Sequence, residues 1–153
     1  MRFRKNIERV GEILSYELSK TLTYKNKTIQ TPLGKKEMSI IQDPLVLCSV
    51  LRAGLPLHQG LLNYFDNADN AFLTAYRKHH EDGSFEISME YMSCPDIEGR
   101  VVIMSDPMLA TGASLVKSIE AFPKVYCKER AVLSARSNGL SLIVEVPPAP
   151  TDL

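Results

Sequence analysis

The chain has 153 residues, 44% hydrophobic and 24% charged, and its 18 Lys and Arg balance 18 Asp and Glu to a net charge of zero. That length is enough to bury a core in one unit, and the neutral balance leaves no electrostatic footprint for nucleic acid or an anionic membrane surface. No apolar run approaches the ~20 residues that span a bilayer, and Met1-Arg2-Phe3-Arg4-Lys5 leads into an amphipathic pattern, not an apolar signal segment.

Phe3, Ile7, Val10, Leu14, Leu18 and Leu22 recur at three- and four-residue steps, which predicts an amphipathic helix over 2–22. Lys27 to Thr31 and Lys36 to Ile41 read as short strands around a turn at Pro32-Leu33-Gly34. After Asp43-Pro44, the run Leu45 to Leu51 is almost continuously apolar, the pattern of a strand buried on both faces of a parallel sheet. Leu55 to Phe65 reads as a helix with Pro56 tolerated in its first turn. Ala71 to Tyr76 reads as a strand. Residues 77–92 read as a projecting hairpin arm: Phe85, Ile87, Met89 and Tyr91 alternate with polar neighbours, and Asp82-Gly83 sits at the tip. Arg100 to Ser105 is the next strand and Ser114 to Phe122 the next helix. Strands alternating with helices predict an α/β fold with a mainly parallel sheet flanked by helices. Further on, Ala131 to Leu133 and Leu140 to Val146 read as short strands, before a linker-like tail at Pro147-Pro148-Ala149-Pro150.

The three cysteines, Cys48, Cys94 and Cys127, show no CxxC spacing, so they read as free thiols in a reducing compartment, with Cys48 in the core. His58 reads as structural, and His79-His80 as a solvated pair without a carboxylate partner. Lys35, Lys36, Lys124 and Lys128 carry no pattern beyond a solvated surface.

The chemistry concentrates where the apolar strand Val101 to Ser105 runs into Asp106, Pro107, Met108, Leu109, Ala110, Thr111, Gly112, Ala113 and Ser114. An acid at a strand end can accept hydrogen bonds from ribose hydroxyls. The N–H groups of Thr111 to Ser114 open a helix and have no helical partners, so they can point at a phosphate. Gly112 admits close backbone approach, and Thr111 and Ser114 add hydroxyl donors. The bland alternative is a plain βα turn with a capped helix. Arg52 likewise follows a buried strand and precedes Ala53-Gly54 at a helix entrance, where a guanidinium fork suits phosphate oxygens. Its alternative is a solvated loop arginine. Ligands of parallel sheets bind beyond the carboxyl ends of the strands. The Arg52–Gly54 and Asp106–Ser114 loops both fall there, with Arg77 as a third contributor.

The wording of these loops resembles the uracil phosphoribosyltransferases, a branch of the type I phosphoribosyltransferases. Asp106-Pro107-Met108-Leu109-Ala110-Thr111-Gly112-Ala113-Ser114 resembles their loop for phosphoribosyl pyrophosphate (PRPP), with Ala113 where the family has a second glycine. Leu51-Arg52-Ala53-Gly54-Leu55 resembles their pyrophosphate loop, and Tyr76-Arg77 their Tyr-Arg pair before a flexible arm. The resemblance implies PRPP contacts from all of these residues, Asp106 and Thr111 to Ser114 on the ribose 5-phosphate and Arg52 and Arg77 on the pyrophosphate. It implies Mg²⁺ carried by PRPP with no direct protein ligand, and no assigned general base. It further implies uracil and PRPP as substrates, UMP and diphosphate as products in pyrimidine salvage, a cytoplasmic homo-oligomer (dimer or higher) and, as in some family members, GTP as effector.

The resemblance spans roughly residues 2–122. The family's leading segment and its base-reading Gly-Leu-Gly-Asp-type stretch are not recognisable, which leads us to expect a phosphoribosyltransferase-like domain over 1–146, incomplete at both ends, and a Pro-rich tail over 147–153. A frameshift after residue 122 would produce this pattern, and reading the coding DNA in the other frames tests it. Two other functions stay open on the residues alone. One is a non-catalytic PRPP-binding remnant without a uracil site. The other is an RNA-binding regulator of pyrimidine genes on the same fold, disfavoured by the neutral charge.

Overall fold

The computed structural model describes residues 2–79, 85–107, 116, 129–136 and 139–145. Of the expected helix over 114–122 only residue 116 is described, and it is helical; the arm tip at Asp82-Gly83 and the Pro-rich tail lie outside the described residues.

The chain begins with helix α1 (Arg2–Ser19), whose Leu14 and Leu18 are buried. The expected stripe runs on to Leu22, but the helix closes earlier. Thr21 N donates to Leu18 O at 2.9 Å and the Thr21 hydroxyl takes the same carbonyl at 2.8 Å. That tighter turn ends the helix yet still delivers Leu22 to the core. Strands β1 (Tyr24–Thr31) and β2 (Gly34–Ile41) form a separate antiparallel pair and begin somewhat earlier than their β-rich cores suggest. Gly34 has φ of +136°, a conformation that side chains resist and that makes the two-residue turn feasible.

Six strands form the main sheet: β3 (Leu45–Leu51), β4 (Asp69–His79), β5 (Phe85–Ser93), β6 (Val101–Asp106), β7 (Glu129–Arg136) and β8 (Gly139–Glu145). Their order is β5-β4-β3-β6-β7-β8. The four inner strands run parallel, and β5 and β8 are antiparallel edges. The expected mainly parallel sheet is therefore present, and so is the arm. Beyond Thr74, where β3 ends, β4 continues paired with β5, with a bulge between Thr74 and Ala75.

Helix α2 (Leu55–Leu62) connects β3 to β4. It stops short of Phe65, but the following turns still bury that ring. Leu45, Leu47, Val101 and Ile103 meet α1 and α2 through Leu14, Leu18, Leu57 and Leu61. The alternate residues Val46, Cys48, Val50, Val102 and Met104 form a second cluster with Ala71, Leu73 and Ile97. Burial on both faces is why β3 and β6 read as nearly continuous apolar runs.

The two helices cross on glycine. A methyl group on Gly11 would lie 2.6 Å from Leu57 O, and one on Gly60 would run into Glu8 O and sit 2.9 Å from Gly11 Cα. At the amino edge of the sheet, Arg100 donates to Asp96 O at 3.0 Å and pairs with the Asp69 carboxylate at 2.5 Å. That tie draws Arg100 into the turn before the strand, so β6 begins one residue later than expected and ends on Asp106.

Candidate functional site

The chain leaves β3 to one side, through α2 to β4, while β6 lies on the other side of β3. The connections thus diverge between the carboxyl ends of β3 and β6, the place where open parallel sheets form a ligand crevice. The Leu51–Gly54 loop leaves β3 there, and Asp106 ends β6 beside it, because Ser49 pairs in register with Ser105.

Small residues let the loop sit this low. Ser49 and Ser105 continue the α2 side of the sheet beyond Leu47 and Ile103, and both are fully buried. Gly54 rests on them: a methyl group there would run into the Ser49 hydroxyl and lie 2.7 Å from Val50 O and 2.9 Å from Ser105 O. Gly54 is also the N-cap of α2, with no side-chain cap and with Pro56 in the first turn. The positive end of that helix dipole consequently faces the crevice. Gly54 N donates to Val50 O at 2.9 Å, and the Leu51–Arg52 peptide is cis.

Arg52 and Ala53 are exposed at the rim, and among the described residues Arg52 makes no ion pair. Asp106 is buried to 8% exposure and Pro107 is half-buried beside it. Arg77 was expected at a strand end, but it lies within β4, opposite Ile87 of β5, because the hairpin pairing carries the strand onward. Its backbone sits three residues past Thr74, hence about 10 Å beyond the end of β3. Met108, Leu109, Ala110, Thr111, Gly112, Ala113 and Ser114 lie outside the described residues. The structure thus brings together Arg52, Ala53, Gly54, Asp106 and Pro107 at one edge.

Ser49 and Ser105 were not singled out from the sequence. Their signal was present: each is a lone serine near the end of an apolar strand, immediately upstream of a candidate loop. Cys48 and Cys94 are free thiols whose pKa is pushed up by burial, in keeping with the core role expected for Cys48. His58, read as structural, is buried and lies 2.8 Å from the Asn70 Oδ1. Among the described residues, no three His, Cys, Asp or Glu side chains converge on one point. An exposed guanidinium and a helix amino end offer donors for phosphate oxygens, and one buried acid offers an acceptor for sugar hydroxyls.

The uracil phosphoribosyltransferase family model matches residues 1–137, past residue 122 and through β7. The chain is 54% identical to the uracil phosphoribosyltransferase of Porphyromonas gingivalis over 79% of its own length and 56% of that protein. It is 35% identical to that of Thermococcus kodakarensis over 95% of its own length and 65% of the relative. The chain spans a little over half the length of the first of these relatives and under two thirds of the second. Among solved structures, a protein from Aquifex aeolicus superimposes with a TM-score of 0.77 at 30% identity, over 86% of this chain and 62% of that one. A hypoxanthine phosphoribosyltransferase from Staphylococcus aureus, at 16% identity and a TM-score of 0.58, covers 94% of this chain and 71% of its own and shares the fold.

Proposed function

Because the chain belongs to the uracil phosphoribosyltransferase family, we propose that it transfers the phosphoribosyl group of PRPP to uracil, giving UMP and diphosphate. The observation that carries this reading is the convergence of the Arg52–Gly54 loop and Asp106 at the divergence of β3 and β6.

In this reading the bond from C1 of the ribose to the pyrophosphate breaks, the pyrophosphate leaves with the electron pair, and a uracil nitrogen forms the new bond to C1 and loses its proton. The barrier is one of charge separation, so positioning and leaving-group stabilisation dominate. Asp106 accepts hydrogen bonds from the ribose hydroxyls, held in place by its position at the end of a buried strand. Arg52 meets the departing pyrophosphate with a guanidinium fork, aided by the α2 amino end. Arg77 joins it from the arm, and Thr111 to Ser114 supply the amides for the 5-phosphate. By the family resemblance, Ala53, Pro107, Met108, Leu109 and Ala110 are further PRPP contacts. Mg²⁺ bound with PRPP would supply charge neutralisation for the pyrophosphate that Arg52 and Arg77 hold. Family membership also supports a cytoplasmic homo-oligomer and GTP as effector, and no helix among the described residues is long and apolar enough to cross a membrane.

The test is UMP formation from uracil and PRPP with Mg²⁺. Wild type is expected to turn over, and Asp106→Asn to lose about 100-fold or more in kcat/KM while remaining folded. A folded wild type that binds PRPP yet makes no UMP would overturn the transferase reading.

A further inference from the structure

Two serines lie side by side beneath the loop, and they differ in one respect. The Ser105 hydroxyl donates to Cys48 O at 3.1 Å. The Ser49 hydroxyl is fully buried and has no hydrogen-bond partner among the described residues. A hydroxyl buried in this state is a standing cost to the fold, and such groups are rare enough to call for an explanation. Alanine would fill the position without that cost.

The surroundings of Ser49 supply the explanation. Its hydroxyl and the Val50 carbonyl crowd the same point, the place a Gly54 side chain would occupy. The Val50 carbonyl is held by the Gly54 N–H at 2.9 Å. That N–H belongs to the N-cap of α2 and lies in the loop read above as the pyrophosphate loop. If the N–H turns to an anion, the carbonyl loses that donor, and the hydroxyl beside it without a partner among the described residues is that of Ser49.

We propose that Ser49 is a positioning residue of the Arg52–Gly54 loop, whose hydroxyl takes over the Val50 carbonyl when the Gly54 N–H turns to the bound pyrophosphate group. The exchange keeps one hydrogen bond to Val50 O before and after binding, and it releases one backbone donor to the ligand. The cost of the unpartnered hydroxyl is carried by the free protein and relieved in the complex, which adds to affinity. This inference rests on the proposed phosphoribosyltransferase reading of the site and assigns it a residue outside the PRPP contacts.

The experiment is calorimetric titration of the full chain and of Ser49→Ala with PRPP, inorganic pyrophosphate and ribose 5-phosphate, each with Mg²⁺, alongside thermal melts without ligand. Ser49→Ala is expected to melt at the same temperature or higher, because it loses only an unpartnered hydroxyl. It should bind PRPP and pyrophosphate about tenfold more weakly and ribose 5-phosphate as wild type does. Unchanged binding of all three ligands would overturn the proposal and leave the functional reading standing. Equal weakening of all three would overturn it too, as the mark of a general distortion. A wild type that binds neither PRPP nor pyrophosphate would instead sink the functional reading.

Discussion

His58 shows what a buried polar residue contributes away from the site. Its ring lies on α2 against Phe72, and its Nε2 is 2.8 Å from the Asn70 Oδ1, so that nitrogen acts as the donor. The other ring nitrogen is buried without a hydrogen-bond partner among the described residues. Burial lowers the pKa of the ring, and the bond to Asn70 offsets part of that shift. The folded protein therefore holds this histidine neutral at a pH where the unfolded chain has begun to protonate it. The unfolded state binds more protons in that window, so stability is full above the ordinary histidine value and is lost as pH falls below it. Urea midpoints measured from about pH 8 to about pH 5 should fall, and His58→Gln, which can still donate to Asn70 but cannot titrate there, should flatten part of that slope. An identical slope in the variant would assign the loss to other groups. At this scale the sequence drew attention to Arg52 and Asp106, because charge at the end of an apolar run is visible in one dimension, and the structure places both at the carboxyl ends of neighbouring strands. Ser49 and Ser105 were not legible, because their importance comes from meeting across two strands 56 positions apart in the chain.

Between elements, the tightest dependence is the α1–α2 crossing. Gly11 and Gly60 face each other there with backbone against backbone, and a methyl group on Gly60 would meet Glu8 O, Gly11 Cα at 2.9 Å and Glu12 N at 3.0 Å. These are backbone atoms on a neighbouring helix, so relief requires the helices to part. Parting lifts α1 from Leu47 and Ile103 and tilts α2, whose amino end carries the loop. Gly60→Ala should cost about 2 kcal/mol by urea denaturation, even though alanine is the better helix former. A stabilised variant would mean that the helices separate easily and that the crossing does not set the height of the loop. The elements themselves were largely legible. β3 runs from Leu45 to Leu51 as read, because a strand buried on both faces has sharp ends. The helix ends were less so: α1 closes at Ser19 through Thr21 bonds to the Leu18 carbonyl, a local choice that hydrophobic periodicity does not record. β4 overran its expected end because pairing with β5 sustains it past β3, a tertiary effect on local propensity.

Across the whole molecule, stability is unevenly spread, and the site sits on the firmest part. The carboxyl-edge location of the loops could be argued from sequence. The strand order that makes β3 and β6 neighbours could not, since no local pattern says which strands pair. That order places the site on two buried strands, each flanked on both sides by parallel neighbours. The β1–β2 pair stands in contrast. It is a two-stranded sheet of its own, most of its residues are exposed, and its link to the core runs chiefly through Ile41. Isolated hairpins are marginal in water, so β1–β2 should open locally without unfolding the rest, whereas β3 and β6 should exchange only through global unfolding. A ligand that binds only the folded state at a hundred times its Kd stabilises by about 2.7 kcal/mol, which slows globally exchanging amides about 100-fold. Hydrogen exchange with and without saturating PRPP should therefore show strong slowing over residues 45–54 and 101–106 and almost none over 24–41. Equal slowing in the hairpin would mean that it opens only with the core, and the uneven distribution of stability argued from its exposure would be wrong.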